Sequence, residues 1–290
     1  RHLSTQFGAP LDSHSRPQHL MVIGMGKLGG RELNVSSDVD FIFIYPEEGE
    51  TAGPRRIENF EFFSRLGKRL IAALDDVTAD GQVFRVDMRL RPYGDSGPLV
   101  CSLSALETYF MAQGREWERY AWIKARLLNS GSNLQEEWLT VLRRIVRPFV
   151  FRKYLDFGAI NAMRGLHAQI RREVVKKGMQ DHIKLGPGGI REIEFIAQVY
   201  QLIRGGHHPA LQIRPTLEVL RALTEHQLIE AQAEAELRDA YIFLRRLEHR
   251  LQYVDDQQTH MLPSGEDERS LIAHSMGFAT WVALLEPLNA

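Results

Sequence analysis

Leu20-Met-Val-Ile-Gly24-Met-Gly26-Lys27-Leu-Gly29-Gly30-Arg-Glu-Leu-Asn-Val-Ser36-Ser37-Asp38-Val-Asp40-Phe-Ile-Phe-Ile-Tyr45 carries the pattern that decides the fold. It reads as a short apolar strand, a glycine-rich turn, one or two helical turns, and two acids feeding directly into a second apolar strand. Residues two apart on a strand point to one face, about 6 to 7 Å apart along the backbone. Asp38 and Asp40 have this spacing, and two carboxylates so related can share divalent cations. A carboxylate beside an apolar strand must be desolvated or must find a cation, and a metal ion is the simplest partner. Gly26, Gly29 and Gly30 make a turn without side chains, which lets backbone N–H groups and a helix start approach a phosphate closely. Lys27 and the hydroxyls of Ser36 and Ser37 add direct contacts in this reading.

The turn also satisfies a rival pattern. Gly24-x-Gly26-x-x-Gly29 after a strand is formally a dinucleotide fingerprint, with Glu47 and Glu48 at a suitable distance. That unit needs a full amphipathic helix before its next strand. Here only residues 30–37 intervene, about two turns, too short for the usual crossover.

Downstream, apolar residues at helical intervals predict a helix over 56–74, followed by a turn at Asp75-Asp76 and Asp80-Gly81. The next segment alternates: Phe84, Val86, Met88 and Leu90 on one face, Arg85, Asp87, Arg89 and Arg91 on the other. This predicts a half-buried strand with a charged face. Two readings follow. Asp87 pairs with its arginine neighbours on a solvated face; or the strand lies beside 40–45, Asp87 becomes a third carboxylate of a metal cluster, and the arginines face a polyphosphate.

Composition bounds these readings. With 290 residues, 44% of them hydrophobic, the chain can build a full core and two domains. Its 36 basic and 37 acidic residues argue against a general nucleic-acid binder. One cysteine, Cys101, excludes an intrachain disulfide and suits a cytoplasmic setting. No apolar run reaches the roughly 18 residues of a membrane span. The start, Arg1-His-Leu-Ser-Thr-Gln, lacks a methionine and is expected to belong to a piece of a longer protein; residues 1–19 read as a lead-in loop.

Ser104-x-x-Glu107 predicts a capping box for a helix through Ala112, and a second helix is expected over 115–128. On it, Arg119, Lys124 and Arg126 either pair with Glu116 and Glu118 or touch phosphate or nucleotide; Trp117, Tyr120 and Trp122 are expected to pack in the core. The polar cluster at 129–133 marks the expected boundary between a first domain, 1–130, and a second, 131–290. Beyond it, helices are predicted over 134–146, 159–177, 190–204, 215–225 and 230–254, which implies a helical bundle. A second glycine loop, Lys184-Leu-Gly186-Pro-Gly188-Gly189-Ile-Arg191-Glu192-Ile-Glu194-Phe195, is either an anion-friendly helix start or a rigid interhelical turn. His207-His208 lacks spaced partner ligands and is expected to face solvent. A further capped helix is expected from Ser264.

Gly24-x-Gly26-Lys27-Leu-Gly29-Gly30-x-Glu32-Leu33, Ser36-Ser37-Asp38-x-Asp40 and Val86-Asp87-Met-Arg89-Leu-Arg91-Pro-Tyr-Gly-Asp-Ser-Gly97 together resemble the bifunctional glutamine synthetase adenylyltransferase/adenylyl-removing enzymes of bacteria. Those enzymes carry two related nucleotidyltransferase domains of the DNA polymerase β superfamily. The resemblance runs from Leu20 to about Leu262. The continuation through Pro98-Leu-Val100 and Gly114-Arg-Glu-Trp117-Glu-Arg-Tyr-Ala-Trp-Ile-Lys124-Ala-Arg126 is similar to the amino-terminal, adenylyl-removing half.

The resemblance implies an α+β fold, a polymerase β-like domain with a mixed sheet followed by an all-α bundle. It implies phosphorolysis of adenylylated tyrosine on glutamine synthetase, giving ADP, with two Mg²⁺ held by Asp38, Asp40 and Asp87. Arg89 and Arg91 become candidates for the incoming anion. Gly-Gly-Ile-Arg191-Glu-Ile-Glu194-Phe is also similar to the uridylyltransferases of the PII signal protein, which favours the anion reading of that loop, with Arg191 near a phosphate and Glu194 in the metal shell. Implied partners are glutamine synthetase, a PII-type protein and a second adenylyltransferase domain, with no nucleic acid and no membrane. Two alternatives use the same residues: adenylyl transfer from ATP, and a noncatalytic module that binds nucleotide or PII.

Overall fold

The computed structural model describes residues 2–129, 133–154, 157–179, 181–254 and 258–289. They form two units, Arg1–Leu33 with Ser37–Arg152, and Asn34–Ser36 with Lys153–Ala290.

In the first unit the unbroken apolar run after Asp40 becomes β2 (Val39–Tyr45), in which every residue except Asp40 is buried. A run of that kind suits a strand covered on both faces. β1 (Met21–Gly24) lies antiparallel on one edge, Met21 opposite Ile44, and β5 (Arg126–Leu127) pairs antiparallel with β1. β3 (Val86–Asp87) and β4 (Val100–Ser102) both run parallel to β2, β3 taking Val39 and Asp40, β4 taking Phe43 to Tyr45. The sheet is therefore mixed, as expected, in the order β3-β2-β1-β5 with β4 also on β2. The crossover between β2 and β3 carries α3 (Asn59–Asp75), whose Phe62 and Phe63 join Phe41, Phe43, Tyr45 and Val100 in one core. The Tyr45 and Phe63 rings stack at 5.2 Å.

The lead-in is not wholly a loop. Leu3 and Phe7, one helical turn apart, are buried on one face of α1 (His2–Phe7). The charged strand is shorter than its alternation predicts. Only Val86 and Asp87 pair, and the chain then turns, Arg91 N–H donating to Met88 O at 3.2 Å and Gly94 N–H to Arg91 O at 2.8 Å. The excursion over 88–99 ends when β4 rejoins β2.

The glycine turn is built by close approach. α2 (Gly26–Gly30) is a short helix. Gly26 sits at φ +50, and a Cβ there would lie 2.7 Å from Asp40 Oδ2. A Cβ on Gly29 would overlap the carbonyl oxygens of Lys124 and Gly24. Both are backbone atoms, so neither can give way.

α4 (Leu103–Ala112) is capped by Ser102, whose Oγ accepts Ala105 N–H at 3.3 Å, two residues before the expected Ser104. α5 (Glu116–Trp122) stops well short of residue 128 because the chain must return to β5. Trp122 is buried, whereas Trp117 is 40% exposed, against expectation. α6 (Asn133–Val150) belongs to this unit and not to the next. Its Phe149 ring stacks on Phe110 at 3.9 Å, and the buried Arg119 donates to Phe149 O at 3.0 Å and Val150 O at 3.2 Å. The division accordingly falls at Arg152/Lys153, not at 129–133; residues 130–132 of that polar cluster lie outside the described residues.

The elements of the second unit are helices: α7 (Phe157–Lys176), α8 (Ile190–Arg204), α9 (Thr216–Glu225), α10 (Ala231–Tyr253), α11 (Glu266–Ser275) and α12 (Trp281–Asn289). Ile190 and Ile193, Leu220 and Leu223, Leu244, Leu247 and Leu251, and Ile272 and Met276 fall at three- and four-residue spacings and fill one core. Glu248, fully buried in α10, is matched by Arg245 at 2.6 Å and His260 at 2.8 Å. Among the described residues no helix is long and apolar enough to cross a membrane.

Two outcomes follow from this packing. Gly29→Ala is expected to destabilise the chain by about 3 kcal/mol, since backbone must move to admit the methyl group; an unchanged urea midpoint would contradict the close approach. Cys101 is buried and its thiol is pushed up to about 12 by burial and, secondarily, by Glu48. At pH 8 the folded chain should not react with an aromatic disulfide reagent, while the unfolded chain releases one equivalent of thiolate chromophore.

Candidate functional site

Backbone pairing decides where the acids stand. Met25 N–H donates to Asp40 O at 2.9 Å, so the β1 pairing continues to the glycine turn, and the Asp40 carboxylate comes down on Gly26. On the other edge Val39 N–H donates to Arg85 O at 2.8 Å, and Asp40 is the register partner of Asp87. Neighbouring strands are about 4.8 Å apart and register partners share a face. Asp38 lies two residues ahead of Asp40, just before the strand.

Two of these acids hold arginines. Arg85 Nε donates to Asp38 Oδ1 at 2.9 Å. Asp87 receives Arg89 Nε at 3.1 Å on Oδ1 and 2.8 Å on Oδ2, with Arg89 N–H also on Oδ1 at 2.8 Å. The Arg89 guanidinium holds the Asp87 carboxyl below the usual carboxylate range, against the opposing effect of burial. Asp87 thus pairs with an arginine neighbour, as the first reading has it, and β3 lies beside β2 with Asp87 opposite Asp40, which is the strand placement the second reading requires.

The donor set is three carboxylates, the hard oxygen ligands that suit Mg²⁺, and the backbone brings two of them into register. The side chains as placed are not gathered into a cage. Among the described residues no group of three His, Cys, Asp or Glu side chains could hold a metal ion. Guanidinium groups take the charge of Asp38 and Asp87.

The remaining expected ligands divide sharply. Lys27 Nζ donates to Ser37 Oγ at 3.3 Å beside the glycine turn. Lys124 does not face outward: its Nζ meets Glu32 Oε2 at 2.6 Å, with the two side chains 7% and 11% exposed. Arg126 donates through Nε to Gly29 O at 3.1 Å and through Nη2 to Leu28 O at 2.7 Å, satisfying carbonyls at the end of α2. Neither lies on α5, and both brace Gly29 and Gly30 from behind instead of reaching for phosphate. Arg91 donates to Met88 O at 2.8 Å and Gly97 O at 3.4 Å and ties off the 88–97 turn. Arg89, by contrast, leaves 74% of its side chain in solvent.

In the second unit, the glycine loop has its amides committed. Gly188 N–H donates to Glu192 Oε2 at 3.0 Å, Gly189 N–H to Gly186 O at 3.0 Å, Ile190 N–H to Ile183 O at 3.1 Å and Arg191 N–H to Lys184 O at 3.0 Å. A carboxylate from the first turn of α8 takes the place an anion would fill, which is the rigid-turn reading. Arg191 and Glu194 are half-buried on α8. His207 is exposed as expected; His208 is half-buried beside His226, ring centroids 5.2 Å apart.

Sequence reasoning placed Arg85 on the charged face but did not foresee its pairing with Asp38, and it gave Glu32 no role. Glu32 stood inside the glycine motif, but its partner is 92 residues away.

Comparison with known proteins agrees along the chain. Residues 1–141 match the family Glutamate-ammonia ligase adenylyltransferase, and residues 164–288 match GlnD PII-uridylyltransferase. The bifunctional glutamine synthetase adenylyltransferase/adenylyl-removing enzyme of Aromatoleum aromaticum is 63% identical over 287 residues, 99% of this chain and 30% of the relative. Those of Chromobacterium violaceum and Nitrosomonas europaea are 63% and 61% identical, each over 98% of this chain. The chain spans about 30% of the length of these relatives. Over that span it is a homologue of the bifunctional glutamine synthetase adenylyltransferase/adenylyl-removing enzymes, the family its glycine turn and acid spacing resemble.

Proposed function

We propose that the first unit is a nucleotidyltransferase of the DNA polymerase β type and that it removes AMP from an adenylylated tyrosine of glutamine synthetase by phosphorolysis. A phosphate oxygen forms a bond to the adenylyl phosphorus, the bond from phosphorus to the tyrosine oxygen breaks, and the phenolate takes a proton from water. The products are ADP and tyrosine. The observation that carries this reading is the pairing of Asp40 with Asp87 over the Gly26 turn. The direction rests on the wording of the segment from Val86 to Val100.

No covalent enzyme intermediate is needed. Phosphate is already a nucleophile near neutral pH, so positioning and charge stabilisation supply most of the rate. Asp38, Asp40 and Asp87 are the residues that would hold Mg²⁺, which would supply positive charge to the phosphoryl oxygens and the departing phenolate. Lys27 and Ser37 orient a phosphoryl group at the glycine turn, and Arg89 meets the incoming anion. A cytosolic setting, regulation by a PII-type protein and work in tandem with a second adenylyltransferase domain belong to the same proposal.

Incubating the chain with adenylylated glutamine synthetase, phosphate and Mg²⁺ is expected to yield ADP. Asp40→Asn should lower that rate at least about a hundredfold, with an unchanged melting temperature. ATP-dependent attachment of AMP in place of ADP release would reverse the direction; near-normal turnover by Asp40→Asn would remove the acid from the chemistry.

A further inference from the structure

Asp38 and Asp87 each carry a guanidinium, and the two arginines are not equivalent to the other cations of the unit. Arg91 is spent on the 88–97 turn, Lys124 on Glu32, and Arg126 on the carbonyls of α2. The side chains of Arg85 and Arg89 are 40% and 74% exposed, and their guanidinium groups meet Asp38 and Asp87 respectively. They flank Asp87 at positions two before and two after it. The main chain of Arg85 is anchored independently of its ion pair, whereas that of Arg89 rests on the carboxylate its guanidinium meets. Arg85 O accepts Val39 N–H, and Arg89 N–H donates to Asp87 Oδ1.

A carboxylate lone pair cannot serve a guanidinium and a divalent cation equally. Carboxylate oxygens bind Mg²⁺ at about 2.0 to 2.1 Å, well inside a charge-assisted hydrogen bond at about 2.8 Å, and Mg²⁺ carries twice the charge of a guanidinium. A cation on Asp38 and Asp87 also repels a guanidinium close by. The displaced groups stay within side-chain reach, because Arg85 remains tied to β2 through its carbonyl and Arg89 follows Asp87 by two residues in the chain. The planar fork of a guanidinium matches a phosphoryl group with two parallel hydrogen bonds.

We infer that Arg85 and Arg89 are an anion-binding pair held closed by Asp38 and Asp87, and that a divalent cation on the acids releases them to grip a phosphoryl group. Arg85 is thereby a positioning residue for the anion; the alternation over 84–91 places it on the charged face, and what its ion pair with Asp38 adds is control of its release by a cation. Binding of cation and anion is positively coupled, and the coupling is reciprocal. This rests on the reading that the three acids hold a divalent cation.

The test is calorimetric titration of the chain with Mg²⁺, alone, with inorganic phosphate and with AMP, beside Arg85→Met and Arg89→Met. Phosphate or AMP is expected to tighten Mg²⁺ binding about tenfold. Whichever of the two has the larger effect identifies the source of the phosphoryl group. Each methionine variant should bind Mg²⁺ alone more tightly, its competitor being gone, and should lose most of the anion's effect. Coupling by direct contact between Mg²⁺ and phosphate alone would survive in both variants, and that result overturns the inference. Mg²⁺ binding that is indifferent to phosphate and AMP overturns it too, while leaving the metal reading intact. Absence of Mg²⁺ binding to a folded chain overturns the metal reading and this inference together.

Discussion

Two residue pairs hold β3 on β2, Val39 opposite Val86 and Asp40 opposite Asp87. A slip of one residue would turn Asp87 to the opposite face of the sheet and leave Asp40 without its neighbour. So short a ladder cannot fix its own register. The apolar side does part of it, with Val39, Phe84 and Val86 packed together in the sheet core. The polar side does the rest: Arg85 joins Asp38 through its side chain and Val39 through its carbonyl, and the Asp75 carboxylate accepts Val86 N–H at 2.9 Å. The arginine that pairs with one acid is therefore also a clamp that sets the place of another.

Elsewhere in the first unit, buried cations serve as mortar. A charged group taken out of water is costly unless its hydrogen bonds are met. Arg119, 2% exposed, meets them at the C-terminal carbonyls of α6 and at Glu116. Arg126 does the same at α2, where burial depresses its basicity. Helix ends offer carbonyl oxygens without intrahelical partners, and these side chains use them. The glycine turn is rigid for that reason: Arg126 holds its last carbonyls, and the backbone of Lys124 packs against Gly29.

The features that local period encodes were legible in the sequence. The apolar run of β2, the amphipathic α3 and the helices of the second unit each announce themselves within a window of a few turns. The spacing of Asp38, Asp40 and Asp87 was equally plain. What local pattern cannot carry is the identity of distant partners. Lys124 and Arg126 looked like ligands on a helical face because Glu32 and the carbonyls of Leu28 and Gly29 are about a hundred residues away in sequence, though adjacent in space. Alternation over 84–90 overstated β3 because a strand lasts only as long as its neighbour. The division at residue 152 was hidden for the same reason: α6 is joined to its unit by Phe110 and Arg119, contacts that no composition shift reveals.

β3 and β4 leave and rejoin the same edge of one strand, so the segment over 88–99 is a detour whose ends are pinned by the sheet. The entropy of closing such a detour grows only with the logarithm of its length. Insertions and deletions past Arg89 can redraw the rim beside Asp87 while the pairing with β2 keeps Asp40 and Asp87 in register, which gives the fold a place to vary what borders its acids.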